Sequence, residues 1–392
     1  MSRLEELIQR YCPDGVEYKA LKEVATDWYR GAGIKRDEVS EDGIPCIRYG
    51  EIHTTYHIWF DKCVSHTDES QQPSKKYADY GDILFAITSE DIPFVGNSVA
   101  YLGKERILVG GDIVVMKHRQ NPKYLAYALL TTDAVRQKGK GKVKSKVVHT
   151  SVPSLQEIVV PVPPMPVQEE IVRILDSFTE LQAELQAELQ KRKQQYNYYL
   201  DNLLSFNDIN RGGYREEVRW MKMSEICKSV KSGKCSDRNI SGKYVVYGST
   251  GIIAYSDSYQ YDTENILIAR VGANAGYIHI AKGRYDVTDN TLIVELNNTG
   301  CTLKFVYYYL TTANINQYAK GGGQPLITSS TIKDLLIPIP SMEEQNRIVS
   351  ILDRFDKLTN DLTSGLPAEI EKRRQQYEYY RDRLLTFRRI NA

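Results

Sequence analysis

The chain has 392 residues, 42% of them hydrophobic and 26% charged, with a formal net charge of +1. That length supports two to three domains with substantial cores, and the charge balance excludes wholesale disorder and a polycationic tail. The longest uncharged apolar stretch, residues 158–167 (IVVPVPPMPV), contains four prolines and falls short of the roughly 20 residues a membrane span needs. The beginning, MSRLEELIQR, alternates charged and apolar residues where a signal peptide would present an apolar run. Six scattered cysteines (Cys12, Cys46, Cys63, Cys227, Cys235 and Cys301) include no CxxC pair, which points to reduced thiols and a cytoplasmic location. Tyrosines outnumber phenylalanines, 28 to 8, a bias suited to surfaces that meet other macromolecules.

In chain order, the pattern predicts a short helix within residues 1–17, a mixed block over 18–163, and a helical region over 164–211. A second mixed block over 212–340 and a second helical region over 341–392 follow. The blocks are rich in short β-branched and aromatic runs bounded by Gly, Asp and Asn, such as 82–88 (DILFAIT), 107–116, 265–270 and 291–296. Each closes with a helical patch, 124–131 or 305–311, then a Gly/Lys-rich loop and a last strand. The expected fold class is α+β. The helical regions carry apolar stripes with steps of three, four or seven. Phe178, Leu185, Tyr196, Tyr199, Leu203 and Phe206 belong to the first; Phe355, Leu362, Tyr377, Tyr380, Leu384 and Phe387 belong to the second. Such stripes form the seam of a coiled coil or helical hairpin.

The two halves repeat each other. Residues 191–206 (KRKQQYNYYLDNLLSF) and 372–387 (KRRQQYEYYRDRLLTF) agree at 11 of 16 positions, and 171–181 (IVRILDSFTEL) agrees with 348–358 (IVSILDRFDKL) at 7 of 11. VPVP (160–163) answers IPIP (337–340), YKALKEVA (18–25) answers WMKMSEIC (220–227), and DILFA (82–86) answers NILIA (265–269). The polypeptide is therefore two copies of one plan. The arms differ once. The first carries ELQAELQAELQ (180–190), all strong helix formers, whereas the second is four residues longer and carries SGLP (364–367). Gly and Pro break a helix there, and Pro367 suits the start of a new one.

Residues 136–146 (RQKGKGKVKSK) place Arg136, Lys138, Lys140, Lys142, Lys144 and Lys146 among small residues without an acid. That composition lets a backbone approach phosphates and displace their counterions. The corresponding loop of the second copy, 320–324 (KGGGQ), offers Lys320 and an amide, Gln324, able to pair bidentately with adenine. Candidate base-edge groups are Thr88, Ser89 and Glu90 in the first block and Arg270, Asn274 and Asn290 in the second. No catalytic or metal constellation emerges. Asp14, Glu17 and Lys19 are too close in sequence to span the adjacent strands of a nuclease site. His53, His57, Cys63 and His66 lack a zinc spacing, and neither a Walker A loop nor an Asp/Asn-Pro-Pro-aromatic tetrapeptide occurs.

Taken together, these residues resemble the specificity subunit of type I restriction–modification systems, HsdS. The likeness covers essentially the whole chain. It rests on QQYNYYLDNLLSF and QQYEYYRDRLLTF, on VPVPPMPVQEEIVRILDSF and IPIPSMEEQNRIVSILDRF, and on CPDGVEYKALKEVA. FAITSE (85–90) with VGNSVAYLGKERILVGG (95–111) is similar to one target-recognition-domain subtype; YVVYGSTG (244–251), GANAG (272–276) and TDN (288–290) are similar to another. The resemblance implies two mixed α/β target recognition domains separated by two conserved helical regions, which form an antiparallel coiled coil about a pseudo-two-fold axis. It implies a non-catalytic subunit that recognises an asymmetric, bipartite site in double-stranded DNA. The implied partners are two methyltransferase subunits (HsdM) and two restriction/translocase subunits (HsdR). No cofactor is expected on this chain: S-adenosylmethionine belongs to the methyltransferase, ATP and Mg to the restriction subunit. In that arrangement each globule reads a few bases and the arms act as a ruler between them, about one helical turn or roughly 34 Å. The ELQA iteration departs from the family pattern and bears on the length of that ruler. On the residues alone two other readings stay open, an autonomous DNA nuclease or methyltransferase and a protein-only coiled-coil adaptor.

Overall fold

Each mixed block is built around one strand that is buried on both faces. In the first block this is Ile83–Ala86. Because side chains alternate along a strand, Ile83 and Phe85 enter one core with the helix Pro122–Ala128, while Leu84 and Ala86 enter a second core with Ile47, Ile107 and Val109. In the second block Asn265–Ala269 plays the same part. Ile266 and Ile268 face the helix Leu303–Thr312, and Leu267 faces Tyr285 and Val287. This two-sided burial explains why both segments read as continuous apolar runs.

In the computed structural model, which describes residues 2–140, 147–206, 218–297, 300–321 and 325–390, the chain divides into two units. One comprises Met1–Glu184 with Ile370–Ala392, the other Leu185–Glu369. The first unit holds a five-stranded sheet in the order Ala25–Arg30, Ile113–His118, Ile83–Ala86, Asn97–Tyr101, Trp59–Phe60. A second sheet, packed across the inner core, runs Val39–Ser40, Ser65–Thr67, Ile44–Ile47, Ile107–Val109, Tyr77–Ala78. The second unit repeats the plan with fewer strands. Its larger sheet runs Cys227–Ser232, Thr291–Leu296, Asn265–Ala269, Ile278–Ala281, and its smaller sheet Gly251–Ser256, Tyr244–Gly248, Tyr285–Val287. Each smaller sheet contains one parallel pair, Ile47 against Val109 in one and Tyr247 against Val287 in the other.

The first arm is a single helix, Met165–Leu204, of 40 residues. The second is two helices, Met342–Asn360 and Leu366–Leu384, parted where SGLP predicts a break. Asp361 organises the turn, accepting from the Thr363 and Ser364 hydroxyls, each at 2.6 Å. Those bonds hold its carboxyl well below the usual carboxylate range. A Cβ on Gly365 would lie 2.5 Å from the Lys357 carbonyl oxygen, so only glycine fits. Leu362, assigned by periodicity to the apolar stripe, falls in this turn and is 79% exposed.

Within the first unit, Phe178 stacks on Tyr380 (5.5 Å between centroids) and Tyr377 is buried against Tyr127. Leu384 and Phe387 are partly buried on the same core. Within the second, Tyr199 and Tyr196 pack on Phe355 at 5.0 and 6.5 Å, and Leu203 and Phe206 border the core. Leu185 is half-buried. Each globule is thus packed by the start of its own arm and the end of the other.

Matching polar clamps fix each arm to its globule. Buried Gln168 accepts from the Asn121 amide at 3.0 Å and donates to the Pro163 carbonyl at 2.7 Å. Buried Gln345 accepts from Thr302 at 2.9 Å and donates to Pro340 at 3.1 Å. Asp176 pairs with Lys123 and accepts from the Tyr127 hydroxyl, both at 2.7 Å. Asp353 does the same with Lys304 and Tyr308. The first unit has one further fastening, a clasp between the two ends of the chain. The Val16 amide donates to the Arg388 carbonyl at 2.8 Å, the Phe387 amide donates to the Tyr18 hydroxyl at 3.0 Å, and the Arg389 guanidinium lies 4.3 Å over the Tyr18 ring. Gly15, with φ +117°, makes the approach feasible: a Cβ would stand 2.5 Å from the Arg388 carbonyl oxygen.

Candidate nucleic-acid interface

The residues that follow the two central strands stand at the same place in both globules. In the first, Thr88–Ser89 pairs antiparallel with Val148–His149, and the Thr150 amide donates to the Ile87 carbonyl at 2.9 Å. In the second, Val271 bridges Leu326, and the Ile327 amide donates to the Arg270 carbonyl at 2.8 Å. The chain leaving each Gly/Lys-rich loop therefore returns beside the residues singled out as base-edge candidates. Sequence separation of about sixty residues conceals this pairing, because no local period reports it.

In the first globule Thr88 and Ser89 are buried and Glu90 is exposed. Thr88 is held by two histidines: His53 Nε2 donates to its carbonyl at 2.9 Å, and its hydroxyl lies 3.1 Å from His149 Nδ1. Neither histidine was singled out for this role by the sequence. Arg136 is exposed and paired with Asp133, and Lys140 is exposed. Lys138 is different. It is 5% exposed, its ammonium reaches the Ser98 hydroxyl at 3.3 Å, and burial lowers its pKa from the ordinary lysine value to about 7. Lys138 lies one turn beyond buried Ala134 on the helix Thr132–Gly139, hence on its inner face. The expected row of exposed cations is therefore interrupted at that position. Lys142, Lys144 and Lys146 lie outside the described residues, as does Gln324.

In the second globule Arg270, Asn290 and Lys320 come together. The Arg270 amide donates to the Asn290 carbonyl at 3.0 Å, and its Nη1 to the Asp289 carbonyl at 3.4 Å. Its Nε is buried without a hydrogen-bond partner among the described residues. Lys320 exchanges backbone hydrogen bonds with Leu326 at 3.0 and 2.9 Å and exposes its side chain. Asn274 is exposed in the loop closed by Gly272 and Gly276, both at positive φ. A Cβ on Gly276 would meet the Asn316 amide nitrogen at 2.6 Å.

The first edge therefore presents the Glu90 carboxylate, with the Thr88 and Ser89 hydroxyls turned inward rather than towards a base as expected, and the second presents the Asn274 amide with half-buried Arg270 and Asn290. Carboxylate, amide and guanidinium are groups that discriminate base edges. Among the described residues no group of three His, Cys, Asp or Glu side chains could hold a metal ion, and no helix is long and apolar enough to cross a membrane.

Comparison with known proteins bears on this duplicated plan. The family described as "Type I restriction modification DNA specificity domain" matches residues 13–192 and again 215–372. The EcoR124I/EcoR124II specificity subunit of Escherichia coli is 36% identical over 268 residues, which cover 60% of this chain and 64% of that protein. The EcoprrI specificity subunit, also from Escherichia coli, is 39% identical over 207 residues, half of each chain. A putative type I restriction enzyme specificity subunit of Haemophilus influenzae is 31% identical over 295 residues, 70% of this chain and 74% of that one. The match thus spans about half to two thirds of the length of the two Escherichia coli relatives. Among solved structures, the S subunit of the type I system of M. genitalium shares the fold with a TM-score of 0.59 at 14% identity, covering 95% of this chain and 96% of the other.

Proposed function

Because this chain belongs to the type I restriction modification DNA specificity family, we propose that it is the DNA-reading subunit of a type I restriction–modification complex. Each globule reads one short word of an asymmetric, bipartite site in double-stranded DNA, and the pair dictates where the methyltransferase and restriction subunits act. The observation that carries this is the pair of edges, built at one position of a repeated scaffold from different side chains: Glu90, with Thr88 and Ser89 buried behind it, in one, and Arg270, Asn274 and Asn290 in the other. Two identical readers would favour a palindrome; two different ones favour a split, non-palindromic address.

The chain acts without catalysis of its own, in the cytoplasm. Two HsdM subunits supply S-adenosylmethionine and extrude the target adenine, which is unreachable inside a duplex. Two HsdR subunits supply ATP- and Mg-dependent translocation and cleavage. Exposed cations beside the edges add affinity without sequence information, so binding weakens steeply with salt.

The experiment is single-molecule mapping of methylated adenines in cells that carry this subunit and its methyltransferase. A bipartite, non-palindromic site is expected; methylation independent of sequence overturns the reading. Deleting one ELQA unit, residues 184–187, shortens the helix by about 6 Å. The tolerated gap between half-sites is expected to change while both words stay the same.

A further inference from the structure

Three arginines from three separate segments converge on a cleft of ≈ 820 Å³ in the first globule. Arg30 ends the strand Ala25–Arg30, Arg36 opens the 3-10 turn Arg36–Glu38, and Arg48 follows the strand Ile44–Ile47. Two are held in place. Arg30 Nη2 donates to Asp112 at 2.7 Å and its Nε to the Gly111 carbonyl. Arg48 Nη2 lies 3.4 Å from Glu51, itself buried and bonded to the Ser65 hydroxyl at 2.7 Å. Arg48 Nε is buried and has no hydrogen-bond partner among the described residues. Arg36 is exposed, with no ion-pair partner among the described residues.

The floor is bare backbone. A Cβ on Gly31 would lie 2.2 Å from the Gly110 carbonyl oxygen, so strand and turn meet too closely for any other residue. Gly33 and Gly50 line the cleft with nothing within 4 Å of a would-be Cβ, which leaves room for a flat ligand edge. One helix is shared between the cleft and the reading edge. The helix Tyr49–Thr54 leads from Arg48 to His53, which bonds the Thr88 carbonyl.

The repeat gives this cleft a counterpart in the second globule. Val109 and Val287 hold the same parallel register, and Gly31 and Gly233 donate to Ile113 and Thr291 at 2.9 and 3.1 Å. Counting on from either register sets Asp112 at the position of Asn290. We propose that the Arg30–Arg36–Arg48 cleft is a further base-reading site of the first globule, besides the Glu90 edge, and takes a G·C pair, an inference that rests on the DNA-reading function above. Guanidinium groups match guanine O6 and N7, and a carboxylate accepts from cytosine N4. Two acids among three arginines make the cleft a poor trap for bare phosphate but a good match for that mixed edge.

The test uses the full chain with its methyltransferase, by methylated-site mapping and by binding to the mapped duplex at several salt concentrations. Arg36→Ala, at an exposed position that should leave the melting temperature unchanged, is expected to relax one G·C position of one word, with discrimination there falling roughly 10–100-fold. Arg30→Gln should relax the same word, and Asn290→Ala the other. Unchanged words in both arginine variants overturn the proposal. A uniform loss of affinity on all sequences, with a shallower salt dependence, also overturns it and assigns the arginines to phosphate. If the wild-type complex methylates without sequence preference, the parent reading fails instead, which keeps the two failures distinct.

Discussion

The smaller sheets of the two globules make an informative pair. In both, a parallel strand leads into an antiparallel neighbour, Ile44–Ile47 into Ser65–Thr67 and Tyr244–Gly248 into Gly251–Ser256. In the second globule Ser249 and Thr250 close the connection directly, with Gly251 at φ +98°. In the first, residues 48–64 intervene, bringing a helix, the strand Trp59–Phe60 and one wall of the arginine cleft. The central strands Ile83–Ala86 and Asn265–Ala269 scarcely differ, because their side chains are committed alternately to two cores. A connection at a sheet margin has no such commitment. Variation is cheap there, and a recognition surface built from connections can change without disturbing what holds it.

That contrast can be broken or sharpened by experiment. The largest effect is expected from exchanging residues 212–340 for the matching segment of another family member: one word of the methylated site should be replaced entirely and the other retained. Two altered words, or none, would show that reading is not partitioned between the globules.

A second, intermediate effect separates the units by pH. Lys138 is the only lysine among the buried residues described, and its folded pKa of about 7 lies below the unfolded value. Between about pH 7 and the ordinary lysine value the unfolded chain binds a proton that the folded one does not, so stability of the first unit rises with pH across that window. Lys138→Met should remove the rise and stabilise the first unit near neutral pH, read by amide hydrogen exchange resolved by segment. On the acid side the units should behave alike. Burial lowers both His118 and His279 to about 4, so each unit loses stability as pH falls from about 6.5 towards 4.

The smallest effect tests the equivalence of the clamps. Gln168→Ala and Gln345→Ala each leave a buried amide and a carbonyl without partners, which costs about 1–3 kcal/mol. Similar losses in chemical denaturation are expected; a loss confined to one unit would mean that the matching geometry hides different energetics.

Much of this architecture is visible in the residues. The arms declare themselves because ILDSF and ILDRF must place Asp176 and Asp353 against the same Lys–Tyr pair in each globule. The break at SGLP follows from glycine and proline chemistry alone. The reading edges are less legible. Thr88 meets His149 through a pairing no local pattern encodes, and the arginine cleft draws on residues 30, 36 and 48 with no shared motif. Lys138 misleads for a different reason. Its neighbours advertise an exposed basic loop, but one turn of helix carries it to the inner face. Leu362 errs the opposite way, its period correct and its helix interrupted.

The clasp between Val16, Tyr18 and residues 387–389 has a consequence for biogenesis. Residues 185–369 form a contiguous unit that can fold as it emerges from the ribosome, but the unit begun by residue 2 lacks its closing pieces until residues 370–390 have been synthesised. The usual order of vectorial folding is thereby inverted. The half translated first is completed last, and a truncated product would leave its exposed core for the chaperone machinery to find.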